Sequence, residues 1–399
     1  VLKERFTMEF MVACNWELDL LDKINYPEVK TLFGGLPGSL IASGRSPSFM
    51  SIRLSHEEIR DYIRRVHEKG WSFDYNINST CLSNKEFTAS GHKEILKYIE
   101  SILELGVDSL TVGLPSLMEI INKHFPGTKM KVSTYQKVDS VAKAQRFEEL
   151  GADVIMLSEH INRDFNLLRA IRNGVKSKLA LIANVGCTYE CPNMHSHANS
   201  IAHSCAAGEK YSVFSEFYQA NCLLNKMKDP VEFVKSRWIR PEDVKVYEDV
   251  GIDMLKILER NNTSDTLGER VKAYSMRSYE GNLIDMLGQM SNRKRSLSLT
   301  WGTRPQVETE DFRKIKRFLE TFFKTSIPDL FYLDNKKIPK DFIHGFMNRD
   351  CSKLSCKKCN YCRDIADACI SQVDPEEINR IKKLMIDYRD EIIEGSALC

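Results

Sequence analysis

Between Cys187 and Cys205 the chain places Cys187, Cys191, His195, His197, His203 and Cys205 within nineteen positions. Thiolates and imidazoles are metal ligands, and clustering them points to a metal or redox centre. Cys187-x3-Cys191 can bring two thiolates to one centre, Pro192 stiffens the turn beside them, and Cys205 and Cys222 lie further along. Four cysteines are the number needed for a cubane iron–sulfur cluster or a tetrahedral zinc. The Cys-x3-Cys-x2-Cys signature of radical enzymes built on S-adenosylmethionine fails, because Met194 stands at the third position. For His197 and His203, a helix cap or a bond to a backbone carbonyl is as good a reading as a place in the site.

A second constellation, Cys351-x4-Cys356-x2-Cys359-x2-Cys362, sets four thiols in twelve residues, with Cys369 just beyond and Lys353, Lys357 and Lys358 alongside. Closely spaced thiolates of this kind wrap one cluster, as in ferredoxins, or hold zinc in a knuckle. Both readings stand. Cys14, Cys81 and Cys399 are isolated; buried thiols are the default for Cys14 and Cys81.

These residues need a scaffold. Apolar runs at Phe10 to Cys14, Thr31 to Gly34, Ser72 to Ile77, Ser109 to Gly113, Lys129 to Ser133, Val154 to Ser158, Leu179 to Ala183 and Met254 to Leu258 read as strands. Amphipathic stretches between them read as helices: Ser55 to Lys69, with a Ser55/Glu58 capping box, His92 to Leu105, Ser116 to His124, Ser140 to Leu150 and Phe165 to Arg172. Gly70, Gly106, Gly151 and Gly251 stand where left-handed caps would turn helix into strand. Eight strands and their helices match an α/β fold of the (β/α)8 barrel type, whose sites lie at the carboxyl ends of the strands. A doubly wound sheet is less consistent, since Cys14-Asn-Trp-Glu lacks a glycine-rich phosphate loop.

The expected organisation is a barrel over residues 1–290, carrying a cysteine- and histidine-rich insertion at 184–236, and an extension over 291–399. Helical patterning continues from Asp265 to Leu287, and a polar linker follows from Met290 to Gly302. The extension reads as a helix near Glu310 to Lys324, the cysteine segment, and a closing helix from Pro375 to Glu394.

Across 399 residues, 28% are charged and 42% hydrophobic, with a net charge of +2, so no global field argues for a nucleic acid or membrane partner. No apolar run of membrane-spanning length and no signal-peptide layout is present, which makes the expected location cytoplasmic and the twelve cysteines reduced.

Several segments resemble the collagenase-like peptidase U32 family. Gly106-Val-Asp-Ser-Leu-Thr-Val-Gly113, Lys131-Val-Ser-Thr134 and Glu148-Glu-Leu-Gly-Ala-Asp-Val-Ile-Met-Leu-Ser158 are similar to its barrel strands. Trp238-Ile-Arg-Pro-Glu-Asp243, Gly251-Ile-Asp-Met-Leu-Lys256, Leu258-Glu-Arg260 and Val271-Lys-Ala-Tyr274 resemble its last strand and the helix after it. The resemblance implies a TIM-like barrel. It also implies a [4Fe–4S] cluster on Cys187, Cys191, Cys205 and Cys222, and oxygen-independent hydroxylation of quinone precursors or RNA bases with prephenate as oxygen source. Other members carry a protease label. This chain departs from the commoner pattern: three residues, not about six, separate its first two cysteines, and three histidines accompany them.

The expected chemistry is iron–sulfur oxidoreduction, with Glu159 as acid/base, Arg260 clamping a carboxylate, and Glu17, Asn76, Asn78, Ser133 and Lys256 orienting a small-molecule or RNA substrate. An electron-donor protein and a homo- or hetero-oligomer fit this reading. A hydrolase using His195 and His197 on zinc is the alternative, and an RNA-binding scaffold is the third. Cys351, Cys356, Cys359 and Cys362 would hold a second iron–sulfur cluster or zinc.

Overall fold

The computed structural model describes residues 7–36, 39–44, 54–206, 216–288 and 325–395. Eight strands close a barrel in sequence order: β1 (Glu9–Ala13), β2 (Val29–Gly34), β3 (Ser72–Ile77), β4 (Ser109–Val112), β5 (Met130–Val132), β6 (Val154–Met156), β7 (Lys178–Ile182) and β8 (Met254–Ile257). Neighbours run parallel, and β8 pairs with β1 to leave no edge. Parallel strands covered on both faces must be apolar nearly throughout, which is why these read as continuous runs. Every expected strand forms; β5 and β6 end earlier because Ser133 and Ser158 cap short 3-10 turns with their hydroxyls.

The helix His56–Glu68 begins with the reciprocal Ser55/Glu58 box. The next helix, Ala89–Leu103, starts three residues before the expected His92 because Thr88 caps it by accepting from the Gly91 amide. Gly70, Gly106, Gly151 and Gly251 have φ between +75° and +87°, the left-handed geometry that returns each helix to its strand. The patterning from Asp265 resolves into the helix Ser264–Met276 and a 3-10 turn at Leu283–Met286, divided where Arg277 turns left-handed.

Polar groups fill part of the barrel interior. Fully buried Asp74 accepts from Ser109 Oγ at 2.7 Å and Thr111 Oγ1 at 2.5 Å, with Lys131 Nζ 3.6 Å away. These bonds satisfy the carboxylate and fix β3, β4 and β5 against one another.

Between β7 and β8 the chain makes its longest excursion, through helices Met194–Ser204, Glu216–Lys228 and Val231–Lys235. Its base is stitched shut. Asn184 donates to Leu258 and Met286 carbonyls and accepts from the Leu258 amide, while Asn162 donates to the carbonyls of Ile182 and Arg237. Arg163, fully buried, donates to the carbonyls of Val234 and Trp238.

The extension does not stand apart. Phe331, Phe342, Ile378 and Met385 belong to one buried apolar cluster with the barrel's Val12, Leu181 and Leu255. Its strands β9 (Phe331–Leu333) and β10 (Ile370–Gln372) pair antiparallel, and Asn282 binds both the Phe331 carbonyl and the Leu333 amide. Trp238 stacks on Phe342 at 5.4 Å. The closing helix runs Pro375–Ile393, as its pattern indicates. The expected linker from Met290 and the helix near Glu310 to Lys324 lie outside the described residues, as does Cys399. Among the described residues no helix is long and apolar enough to cross a membrane.

Candidate functional site at the barrel mouth

The carboxyl ends of the strands surround a cavity of about 90 Å³. Phe33 comes from β2, Asn76 and Asn78 from the end of β3, Lys137 and Glu159 from the turns after β5 and β6, Cys187 from beyond β7, Lys256 from β8 and Arg260 from just beyond it. Close approach between the strand ends needs a residue without a side chain at Gly113, where a Cβ would lie 2.3 Å from the Ser79 carbonyl oxygen.

Lys137 and Glu159 form a buried ion pair, and Thr134 Oγ1 donates to the other Glu159 oxygen at 3.0 Å. Burial by itself would raise the Glu159 pKa; Lys137, with His160 and the hydrogen bonds, outweighs it and holds the carboxyl at about 2. Glu159 is therefore ionised at neutral pH and has no proton to give, which removes the acid half of its expected acid/base role.

His160 sits beside the pair, with Nε2 3.7 Å from Glu159 and Nδ1 accepting from the Glu190 amide at 2.9 Å. That bond assigns the proton to Nε2. Burial pushes the imidazole pKa down, so the ring is neutral and its N–H points at the carboxylate. Lys256 holds its ammonium 3.9 Å from the centre of the Phe33 ring. Arg260 donates to the Ser43 carbonyl at 2.7 Å and to Gly35 at 3.4 Å, so its guanidinium fixes the loop after β2 at the rim rather than standing as a dedicated clamp. Asn76 Oδ1 and Asn78 Oδ1 are buried without a hydrogen-bond partner.

Residues 45–184 match peptidase family U32. Over 354 residues the chain is 26% identical to an uncharacterized protease of Methanocaldococcus jannaschii, across 88% of this chain and 92% of that protein. The segment that carries β3 to β7 is therefore similar to peptidase family U32. The solved structure of the U32 peptidase Mk0906 is 21% identical and superimposes with a TM-score of 0.49, covering 65% of this chain and 95% of that one.

In this barrel the expected cysteines are only partly gathered. Cys187 lines the mouth cavity, and Cys222 acts electrostatically on both Cys187 and Cys191, as do Lys137 and Lys226. Thr188 Oγ1 lies 3.1 Å from Cys222 Sγ, and the Lys226 ammonium 3.9 Å from it. Burial, with Glu159 and Cys222, pushes the Cys187 thiol up to about 12, and burial also raises Cys191. Cys205 caps the C-terminus of Met194–Ser204 and is buried there. Among the described residues no three His, Cys, Asp or Glu side chains close on a single ion.

The histidines divide. His195 is exposed on its helix, outside the cavity lining. His197 stacks on Tyr218 at 5.5 Å, and burial together with Lys137 lowers its pKa to about 4. The two therefore do not form a zinc pair. Glu17 is taken up by Asn15 and Ser264, and Ser133 accepts from Asn78 and the Tyr135 amide; neither lines the cavity. Cys14 is buried with its thiol pushed up to about 12 by desolvation, and Cys81 is half-buried; both lie outside the cavity lining.

Sequence reasoning missed Lys137 and His160. Both stand in the turns that follow barrel strands, where a systematic listing of titratable residues would have reached them. Lys137 has a left-handed φ of +47°, a conformation that a lysine adopts at a cost and that its ion pair and its bond to Lys143 help retain.

Proposed function

We propose that this chain is an iron–sulfur-dependent oxidoreductase acting on an anionic small molecule at the barrel mouth. One observation carries the reading: Cys187 lines the mouth cavity and also shares the charge environment of Cys191, Cys222, Lys137 and Lys226. A centre held by these thiolates would face whatever the cavity binds. The donor chemistry fits such a centre, because sulfur ligands in a low-dielectric wall need compensating charge and two ammonium groups supply it. Cys187, Cys191 and Cys222 are the residues that would hold it, with Cys205 as the fourth thiol of the segment. When bound, a cluster supplies one-electron transfer or a Lewis-acidic iron.

The chain's own groups select the substrate. The charged side chains of the cavity are Lys137, Lys256 and Arg260 against one carboxylate, Glu159, which favours an anion. Asn76 and Asn78 offer two buried acceptors that a substrate hydroxyl or amide would satisfy. Glu159 holds the Lys137 ammonium in place through their ion pair, and His160 stands beside the pair.

Anaerobic purification with iron, sulfide and zinc counts and a visible spectrum tests the reading. Cys191→Ala is expected to lose one cluster's iron and sulfide; unchanged counts would sink the ligand assignment. Zinc in place of iron, without visible absorbance, would favour the hydrolytic activity that the relatives' names indicate.

A further inference from the structure

The extension's cysteines line a cleft of their own, with no lining residue in common with the mouth cavity. Cys351, Cys356, Cys359 and Cys362 all line one cleft of about 380 Å³ between the extension and the base of the β7–β8 excursion. Two features of the local chain bring them there. Cys356 and Cys359 end a single helical turn, and Asn360 then adopts φ +53°, which reverses the chain so that the helix Tyr361–Cys369 begins with Cys362 on the same cleft. Asparagine is among the few residues that tolerate this geometry.

The lining is cationic: Lys235 and Arg237 from the β7–β8 excursion and Arg349, Lys357 and Arg363 from the extension face one carboxylate, Asp229. Asp229 is paired with Arg363 and Lys235 with Glu232, so Arg237 and Arg349 account for much of the uncompensated charge. Arg237 is 6% exposed, its guanidinium lies 3.7 Å over the Tyr189 ring, and its Nε is buried without a hydrogen-bond partner. Immediately behind it, Arg163 is 2% exposed and packs on Trp238, Phe342 and Phe346; its Nε is also unpartnered. Two buried guanidiniums side by side are costly unless an anion faces them.

We propose that this cleft holds an iron–sulfur cluster on Cys351, Cys356, Cys359 and Cys362. Four thiolates around a cluster give a net anion, the charge that Arg237 faces in the cleft. Room separates the cluster from zinc. A zinc ion with 2.3 Å bonds draws its four sulfurs to about 3.8 Å of one another and leaves no cavity between them, whereas a cubane pushes its thiolates to the corners of a much larger body. Here the four thiols all line one open cleft of about 380 Å³. Cys356 is exposed, so one edge of the cluster meets solvent, while Tyr189 in the lining lies midway between Cys187 and Cys191 in sequence.

The full-length chain, purified anaerobically, tests the site by metal and sulfide content. The double variant Cys356→Ser/Cys359→Ser is expected to lose about four iron and four sulfide per chain relative to the parent. Cys369→Ser, a buried thiol outside the cleft, is expected to lose none. The companion variant Cys187→Ser/Cys191→Ser guards against misfolding of the extension mutant and separates this site from the mouth. It leaves the extension intact and is expected to retain about four iron and four sulfide. Absence of iron from that companion, unchanged iron in the extension variant, or zinc as the metal lost would each overturn the proposal.

Discussion

More than a hundred residues of sequence separate the two groups of thiols, Cys222 from Cys351, and the two sites differ in how charge is balanced. At the mouth, the Lys137 ammonium is paired with Glu159 inside the protein, and the nearest thiol, Cys187, is desolvated. In the extension, the cations of the cleft outnumber the carboxylates five to one and one of the thiols is exposed. A preorganised, water-poor cavity suits bond-making chemistry, where fixed charges act at low dielectric. An open cationic cleft suits the holding of a charged centre near solvent. The single residue Tyr189 belongs to the mouth's cysteine loop and to the cleft wall, and its ring lies 6.0 Å from His160 and beneath Arg237.

The contrast is broken most severely by Lys137→Met. That change leaves the Glu159 carboxylate buried without its cation, and severing a buried pair in this way costs on the order of 3–5 kcal/mol. Chemical denaturation is expected to show that loss at neutral pH. The acid limb should change with it. In the parent, the Glu159 pKa lies at about 2, below its ordinary 4.5, so the pair's stabilisation is complete above pH 4.5 and drains away as the pH falls toward 2. In Lys137→Met that drain is expected to disappear. A parent-like midpoint and acid limb in the variant would mean that the ion pair does not organise the mouth.

A smaller effect is expected at His197. Its pKa of about 4 lies below the ordinary 6.5, because burial and Lys137 oppose its charge. The folded chain thus binds fewer protons than the unfolded one between these values. Its contribution is complete above pH 6.5 and is lost as the pH falls through 4. His197→Phe keeps a ring to stack on Tyr218 and is expected to flatten the stability slope between pH 6.5 and 4 by roughly 1–2 kcal/mol, discounted for partial exposure. An unchanged slope would place the acid sensitivity elsewhere.

Much of this molecule is legible in its sequence, and for definable reasons. Strands buried on both faces must be apolar and must be reached through a left-handed glycine, so β3 could be bounded at Ser72 and Ile77 without coordinates. Ser55 and Glu58 announced their helix because a capping box is a local interaction. The cysteines were conspicuous by type. What the sequence concealed was pairing across distance: Lys137 meets Glu159 from a neighbouring turn, and Arg163 reaches carbonyls more than seventy residues on. Arg260 shows the same limit from the other side. Its position at the end of β8 pointed to an anion clamp, but its hydrogen bonds to Ser43 and Gly35 depend on how the loop after β2 folds back, which spacing does not encode. Asn360 was invisible for a different reason, since its left-handed turn matters only because cysteines flank it.

The smallest expected effect lies in the cleft. Arg363 makes a two-pronged pair with Asp229 at 2.8 and 2.5 Å, but both side chains are more than 40% exposed. Water and salt already solvate such a pair, and its removal is expected to change stability by less than about 1 kcal/mol. Arg363→Ala therefore separates two roles for charge in this cleft. If the cations matter through contacts that hold the extension onto the barrel, the variant will shift the denaturation midpoint well beyond that bound. If they matter as a field facing an anionic centre, the midpoint will stay within it. Iron content will then stay near that of the parent, because Arg237 and Arg163, buried closer to Cys362, still supply the positive charge.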